Sequence, residues 1–200
     1  MGRIAFNDQL VARMGQAISA PVGSPAIVEI PKALIDATPD ISHYTAGPAH
    51  AVEFIPACSE RIDAINADLR ENRARFASLA ILFGWAQTND TQFIYSINDP
   101  KLVHSVDHGH FFPGGPNWSI ASLAGAQPAE PYQGIIGSLV LTPDEIVTAA
   151  SKLNDISPEQ IAELVNGMPP EWGVPNDEQN AISEFVKNRR QTIIQNYPTP

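Results

Sequence analysis

Phe83-Gly84-Trp85-Ala86-Gln87-Thr88-Asn89-Asp90-Thr91-Gln92 and, one β-rich excursion later, Ser105-Val106-Asp107-His108-Gly109-His110 organise this 200-residue chain. The first segment closes a helical pattern over residues 72–87. Its Phe76, Leu79, Ala80, Leu82 and Phe83 are apolar almost all round, which predicts a deeply buried helix ended by Thr88-Asn89. Residues 92–97 and 101–106 are β-rich and flank Asn98-Asp99-Pro100, a turn sequence, so the spacing predicts a hairpin. A buried helix thus delivers Asp90 at its exit, and the hairpin returns the chain to Asp107.

Upstream, Leu10, Val11, Met14 and Ile18 recur at helical spacing over residues 7–18, with Asn7 or Asp8 as the expected N-cap. Pro21, Gly23 and Pro25 break that helix. Residues 26–30 and 51–55 read as short strands, 32–37 as a helical turn and 38–49 as loop. Residues 59–70 read as a weakly amphipathic helix through Ile62, Ile65 and Leu69. Downstream, residues 107–138 are rich in Gly and Pro without periodicity and read as one long loop. Thr142-Pro143-Asp144-Glu145 and Ser157-Pro158-Glu159-Gln160 are capping boxes with Pro at the first helical position, and a last helix starts near Asn176. The order predicts an α+β fold, mostly helical from residue 59 onward.

Composition excludes several classes. The formal charge of −10 repels phosphate backbones, so direct nucleic-acid binding is not expected. The basic runs Arg70–Arg75 and Lys187–Arg190 lie on helical patterns and read as solvated faces. No apolar run reaches the length of a membrane span, and the N-terminus lacks the pattern of a secretory signal. One cysteine, Cys58, excludes an internal disulfide and agrees with a reducing cytoplasm.

Two Asp residues joined by one hairpin, the second in Asp107-His108-Gly109, match the layout of a phosphotransfer site. One carboxylate would stand by the attacking hydroxyl, and the other would hold a metal on nucleotide phosphates. The plainer reading stands beside it: Asp is a preferred turn residue, and either one could be only that. The chain also resembles the HipA-like kinases, in particular their compact bacterial branch. The likeness rests on the Trp85 helix ahead of Asn89-Asp90, on Val106-Asp107-His108-Gly109-His110-Phe111-Phe112, on Pro116-Asn117-Trp118, and on Pro169-Pro170-Glu171-Trp172 before the final helix. Asn7-Asp8 at the head of an amphipathic helix is similar to the family's Asn-Glu helix.

That resemblance implies a protein-kinase-like C-lobe over 57–200, and over 1–56 a remnant N-lobe of one helix and short strands with a hinge near 52–55. It implies ATP and Mg as cofactors and transfer of a phosphoryl group to a protein Ser or Thr, or else a pseudokinase that holds a protein partner. Carried over by position, Asp90 is the base, Asp107 binds nucleotide and metal, and Gln92 is the nearest match to the metal-binding Asn. Val52, Glu53 and Phe54 stand beside the adenine, and Asp8 stands where a Glu pairs with the ATP-binding Lys. The chain departs from the family in having six residues before Asn7, with no glycine-rich loop or strand Lys among them, and Tyr95 where an Asn is usual.

A third reading is a metal-dependent hydrolase. His104, His108 and His110 alternate around Asp107, and on an extended segment they would share one face. Trp85, Trp118 and Trp172 are expected to pack in the core rather than to stack on bases.

Overall fold

The computed structural model describes residues 2–60 and 67–199. Helix α1 (Gly2–Ala17) leads through a bend to strand β1 (Pro25–Ile30), and the short helix α2 (Lys32–Ala37) precedes β2 (Gly47–Val52). A two-residue strand β3 (Cys58–Ser59) comes before the long helix α3 (Arg70–Ala86). Then follow β4 (Gln92–Ser96), β5 (Val103–Val106), α4 (Ile120–Ala124), α5 (Gln133–Leu139), α6 (Pro143–Ser151), α7 (Pro158–Val165) and α8 (Asn176–Asn196). The architecture is a mixed, mainly helical one with two small antiparallel sheets, β1-β2 and β3-β4-β5. Val22 and Ser105 form an isolated parallel bridge, and Ser105 N donates to Pro21 O, which ties the two regions together.

α3 is the axis of the core. Every residue from Phe76 to Ala86 is buried, as its all-round apolar pattern predicts. Gly84 permits the closest crossing: a Cβ there would lie 2.0 Å from the carbonyl oxygen of Glu130, so only glycine lets the segment before α5 pass. Phe6, Leu10 and Met14 of α1 join the same core as Leu79 and Phe83, so one core spans the expected boundary at residue 56. Both expected capping boxes form, Thr142 with Glu145 and Ser157 with Gln160. The three tryptophans are core residues, each donating its ring N–H: Trp85 to Val186 O, Trp118 to Asn7 Oδ1 and Trp172 to Pro48 O.

Several boundaries differ from expectation. α1 begins at Gly2, so Asn7 and Asp8 lie in its second turn and cap nothing. β2 starts at Gly47, inside the stretch read as loop, and ends at Val52, leaving Glu53 and Phe54 outside the strand. The stretch read as one long loop contains α4 and most of α5, and α4, which opens on a Ser119–Ser122 capping box, is too short to show periodicity. The Ile62 and Ile65 part of the helix expected over 59–70 lies outside the described residues.

Arg189 fastens the C-terminal end of α3. It is buried, and donates to Gly84 O, Trp85 O (3.0 Å) and Gln127 O (2.7 Å) while lying over the Phe185 ring. A cation there also meets the negative end of the helix dipole. Arg189→Met strands those buried carbonyls and is expected to cost on the order of 3 kcal/mol in urea unfolding.

Candidate functional site

The hairpin forms as predicted, with Gln92 opposite Val106 and Tyr95 opposite Val103. This register sends the chain in through Asp90-Thr91 and out through Asp107 at one end of the ribbon. At the exit, Asp107 adopts a left-handed conformation with φ 57°, tolerated by Asp better than by most residues. Its side chain is exposed, and Gln92 Nε2 donates to its Oδ2 at 3.0 Å. Asp90 is also exposed. Its Oδ1 accepts from Thr91 N at 2.7 Å, and its carbonyl accepts from the Thr88 hydroxyl. Asp90 lines an open groove of about 540 Å³ together with Asn89, His110, Gly114, Gly115 and Asn117.

Two asparagines hold the chain that follows Asp107. Asn7 is fully buried. Its Nδ2 donates to Gly109 O at 2.8 Å and Phe111 O at 3.3 Å, and its Oδ1 accepts from Trp118. Asn89 donates to His110 O at 3.0 Å and to Phe112 O. Sequence reading missed both anchors. A signal existed for Asn7, which continues the apolar stripe Leu10, Val11, Met14, Ile18, and a polar residue in such a stripe must find internal partners.

Asp8 comes closest to a strained functional group. Its Oδ1 accepts from His108 N at 2.6 Å, and a Cβ on Gly109 would lie 3.0 Å from its Oδ2. Burial pushes its carboxyl from 3.8 up to about 6; the His108 amide opposes this, the Asp107 charge adds to it, and His110 and the Gly109 amide oppose it further. Because the folded value lies above the ordinary one, the folded state holds the proton more tightly. Stability from this group is therefore fully present below about pH 4 and is lost as pH rises through 6, by roughly 3 kcal/mol. Asn keeps the acceptor for His108 and removes the charge. Asp8→Asn is expected to be more stable than the parent at pH 7, by about 1–3 kcal/mol, with the two converging near pH 4. Urea titrations at the two pH values check this, and equal stabilities at pH 7 would show that the carboxylate carries no burial cost.

The expected histidine face does not form. His104 Nδ1 accepts from Arg75 Nη2 at 3.2 Å. His108 is buried and pairs through Nε2 with Ser105 Oγ at 2.9 Å, and its imidazolium is disfavoured first by burial and then by His50, bringing it down to about 4. His110 alone of the three faces the groove beside Asp90. The left-handed turn at Asp107 ends the strand and with it the alternation that would align them. Among the described residues, no three His, Cys, Asp or Glu side chains converge as a metal-binding group, and the expected alignment of His104, His108 and His110 on one face is corrected.

The expected adenine-side segment lies at the end of β2. Val52 pairs with Pro25, Glu53 N donates to Ser24 O at 2.9 Å, and the Phe54 side chain projects into solvent.

Neither a family model nor a curated protein sequence matches the chain. Among solved structures it is similar to a chain in the complex of the Shewanella oneidensis MR-1 toxin–antitoxin proteins HipA and HipB with their operator DNA, at 11% sequence identity and a TM-score of 0.45. The match covers 96% of this chain and 55% of that one, so this chain spans about half its length. No helix among the described residues is long and apolar enough to cross a membrane.

Proposed function

We propose that the chain is a HipA-like kinase-fold protein that takes Mg-ATP at the open end of the β4–β5 hairpin and transfers a phosphoryl group to a protein Ser or Thr. The observation that carries the reading is the joint placement of three acids. The hairpin brings Asp90 and Asp107 to one end, and Asp8 of α1 is hydrogen-bonded to the amide that follows Asp107. Asp90, beside an open groove, is the base for an incoming hydroxyl. Asp107, with Gln92 against it, is the metal-side carboxylate. Mg is ordinarily held through one or two carboxylates plus the nucleotide's own phosphates, so an exposed Asp suits it. Val52, Glu53 and Phe54 lie on the adenine side of this reading. A protein acceptor is compatible with a formal charge of −10, which disfavours anionic nucleic acid as the acceptor.

One observation favours a second reading, a pseudokinase that holds a protein partner on the same surface. Asp8 takes backbone N–H donors in place of a cation, while Lys32, Lys152 and Lys187 are engaged by Asp36, Ser78 and Glu184, and Lys101 lies in the turn between β4 and β5, at the end of the hairpin away from Asp107. A thermal-shift titration of the whole chain with Mg-ATP separates the two. Ligand at about ten times Kd stabilises by about 1.4 kcal/mol, so a Mg-dependent rise in Tm that grows with the logarithm of nucleotide concentration is expected at millimolar nucleotide. A flat titration at the same concentrations rejects nucleotide binding and leaves the partner-holding reading.

A further inference from the structure

A cleft of about 860 Å³ opens between α3, β4 and α5. Its walls are largely aromatic. Phe93 and Tyr95 share one face of β4 by alternation, and Phe76 of α3 meets them there, edge-on to Phe93 at 5.5 Å and 6.5 Å from the Tyr95 ring. Tyr132, Ile135 and Leu139 line it from α5 and the residue that opens α5. The Tyr132 phenol lies against Gly134: a Cβ at 134 would come within 2.6 Å of that ring, so a side chain there would displace it. The cleft has the size and the apolar, aromatic lining of a small-molecule site. It shares no lining residue with the groove beside Asp90, so it is separate from the site proposed at the hairpin.

Two features define the chemistry of an occupant. The first is Tyr95, which is 4% exposed and whose hydroxyl makes no hydrogen bond among the described residues. Burial pushes its phenol up to about 12, so it stays a neutral donor. A buried phenol ordinarily finds a partner, and the cleft that Tyr95 lines is the open space that can supply one. The second feature is charge. Among the described residues lining the cleft, the one cation is Arg73, held by Asp68 at 2.7 Å and Glu145 at 2.8 Å. The three together are net negative, which disfavours an anion. An organic cation would suit the ring faces but offers the phenol no acceptor. We infer that the cleft binds an uncharged, planar heteroaromatic molecule whose ring nitrogen or carbonyl oxygen accepts from the Tyr95 hydroxyl.

The test uses the whole chain and bicyclic probes at mildly alkaline pH. Quinoline is neutral there and carries a ring nitrogen, naphthalene has no acceptor, and N-methylquinolinium is a cation. Followed by amide NMR, quinoline should saturate a single site, with shifts centred on Tyr95, Ile135 and Leu139. Tyr95→Phe gives up no protein hydrogen bond and should melt at or above the parent's temperature. It should weaken quinoline about fivefold and leave naphthalene within about twofold, the contrast that one hydrogen bond makes. An equal loss for both probes would show that the hydroxyl only shapes the cleft. Tighter binding of N-methylquinolinium than of quinoline would make the site a cation cage. Either result overturns the inference, and so does the absence of saturable shifts at the cleft with quinoline on the folded parent.

Discussion

Phe83→Ala lowers the free energy of unfolding by about 3–5 kcal/mol. Phe83 is completely buried in α3 and meets three other rings. Phe111 stands edge-on at 5.2 Å between centroids, Tyr132 edge-on at 6.0 Å, and Phe93 stacks at 6.0 Å. These partners come from the segment after Asp107, the start of α5 and strand β4, so the cavity is walled on three sides by rings that are themselves packed. Such a site collapses poorly, which puts the cost toward the upper half of the range. Phe54→Ala removes the same atoms from a ring that is 83% exposed and should change stability by no more than about 0.5 kcal/mol. Urea midpoints with unchanged slopes give both values. A loss below about 1 kcal/mol for Phe83→Ala would mean that the aromatic cluster does not hold β4 and the Asp107 segment onto α3.

Much of this fold was legible because local signals and burial agreed. α3 has an apolar surface all round and is buried all round. The capping boxes at Thr142 and Ser157 start helices because each satisfies orphan amides within four residues, a purely local matter. The hairpin follows from two β-rich runs around Asn98-Asp99-Pro100. The misreadings share another cause, which is that a long-range bond decided the role of a residue. Asn7 and Asp8 carry a strong cap signal, yet their side chains are committed to residues a hundred positions away. The alternation of His104, His108 and His110 is real in the sequence. It fails in space because the backbone turns left-handed at Asp107, a conformation that no neighbouring glycine announces at that position.

The candidate site divides in the same way. That Asp90 and Asp107 flank one end of the hairpin was legible because a hairpin is short-range. The brace beneath them was not, because Asp8 approaches from α1 only where Gly109 leaves room for Ile4 and the carboxylate. Asn7 and Asn89 then pin the carbonyls of residues 109–112 from two sides, so the turn that carries Asp107 is held from beneath by side chains of α1 and of the loop after α3.

Asp90 and Asp107 are expected to differ in what their loss removes. Phosphoryl transfer asks the protein mainly to position groups and offset charge on the phosphates. Losing the metal-side carboxylate therefore weakens nucleotide binding and turnover together, whereas losing the base lowers turnover and leaves affinity nearly intact. On the proposed reading, Asp107→Asn weakens Mg-ATP binding by at least about tenfold, Asp90→Asn leaves it within about twofold, and each abolishes phosphotransfer. Both substitutions suit the backbone. Asn tolerates the left-handed φ of 57° at position 107, and Asn at 90 retains an acceptor for Thr91 N. Neither residue is in the core, so both variants should melt within a degree or two of the parent in the absence of ligand. Titration calorimetry with Mg-ATP and transfer of labelled phosphate to a protein acceptor provide the two readouts. If both variants melt early and bind Mg-ATP as the parent does, the pair serves the turn alone, and the phosphotransfer reading has no chemistry left to support it.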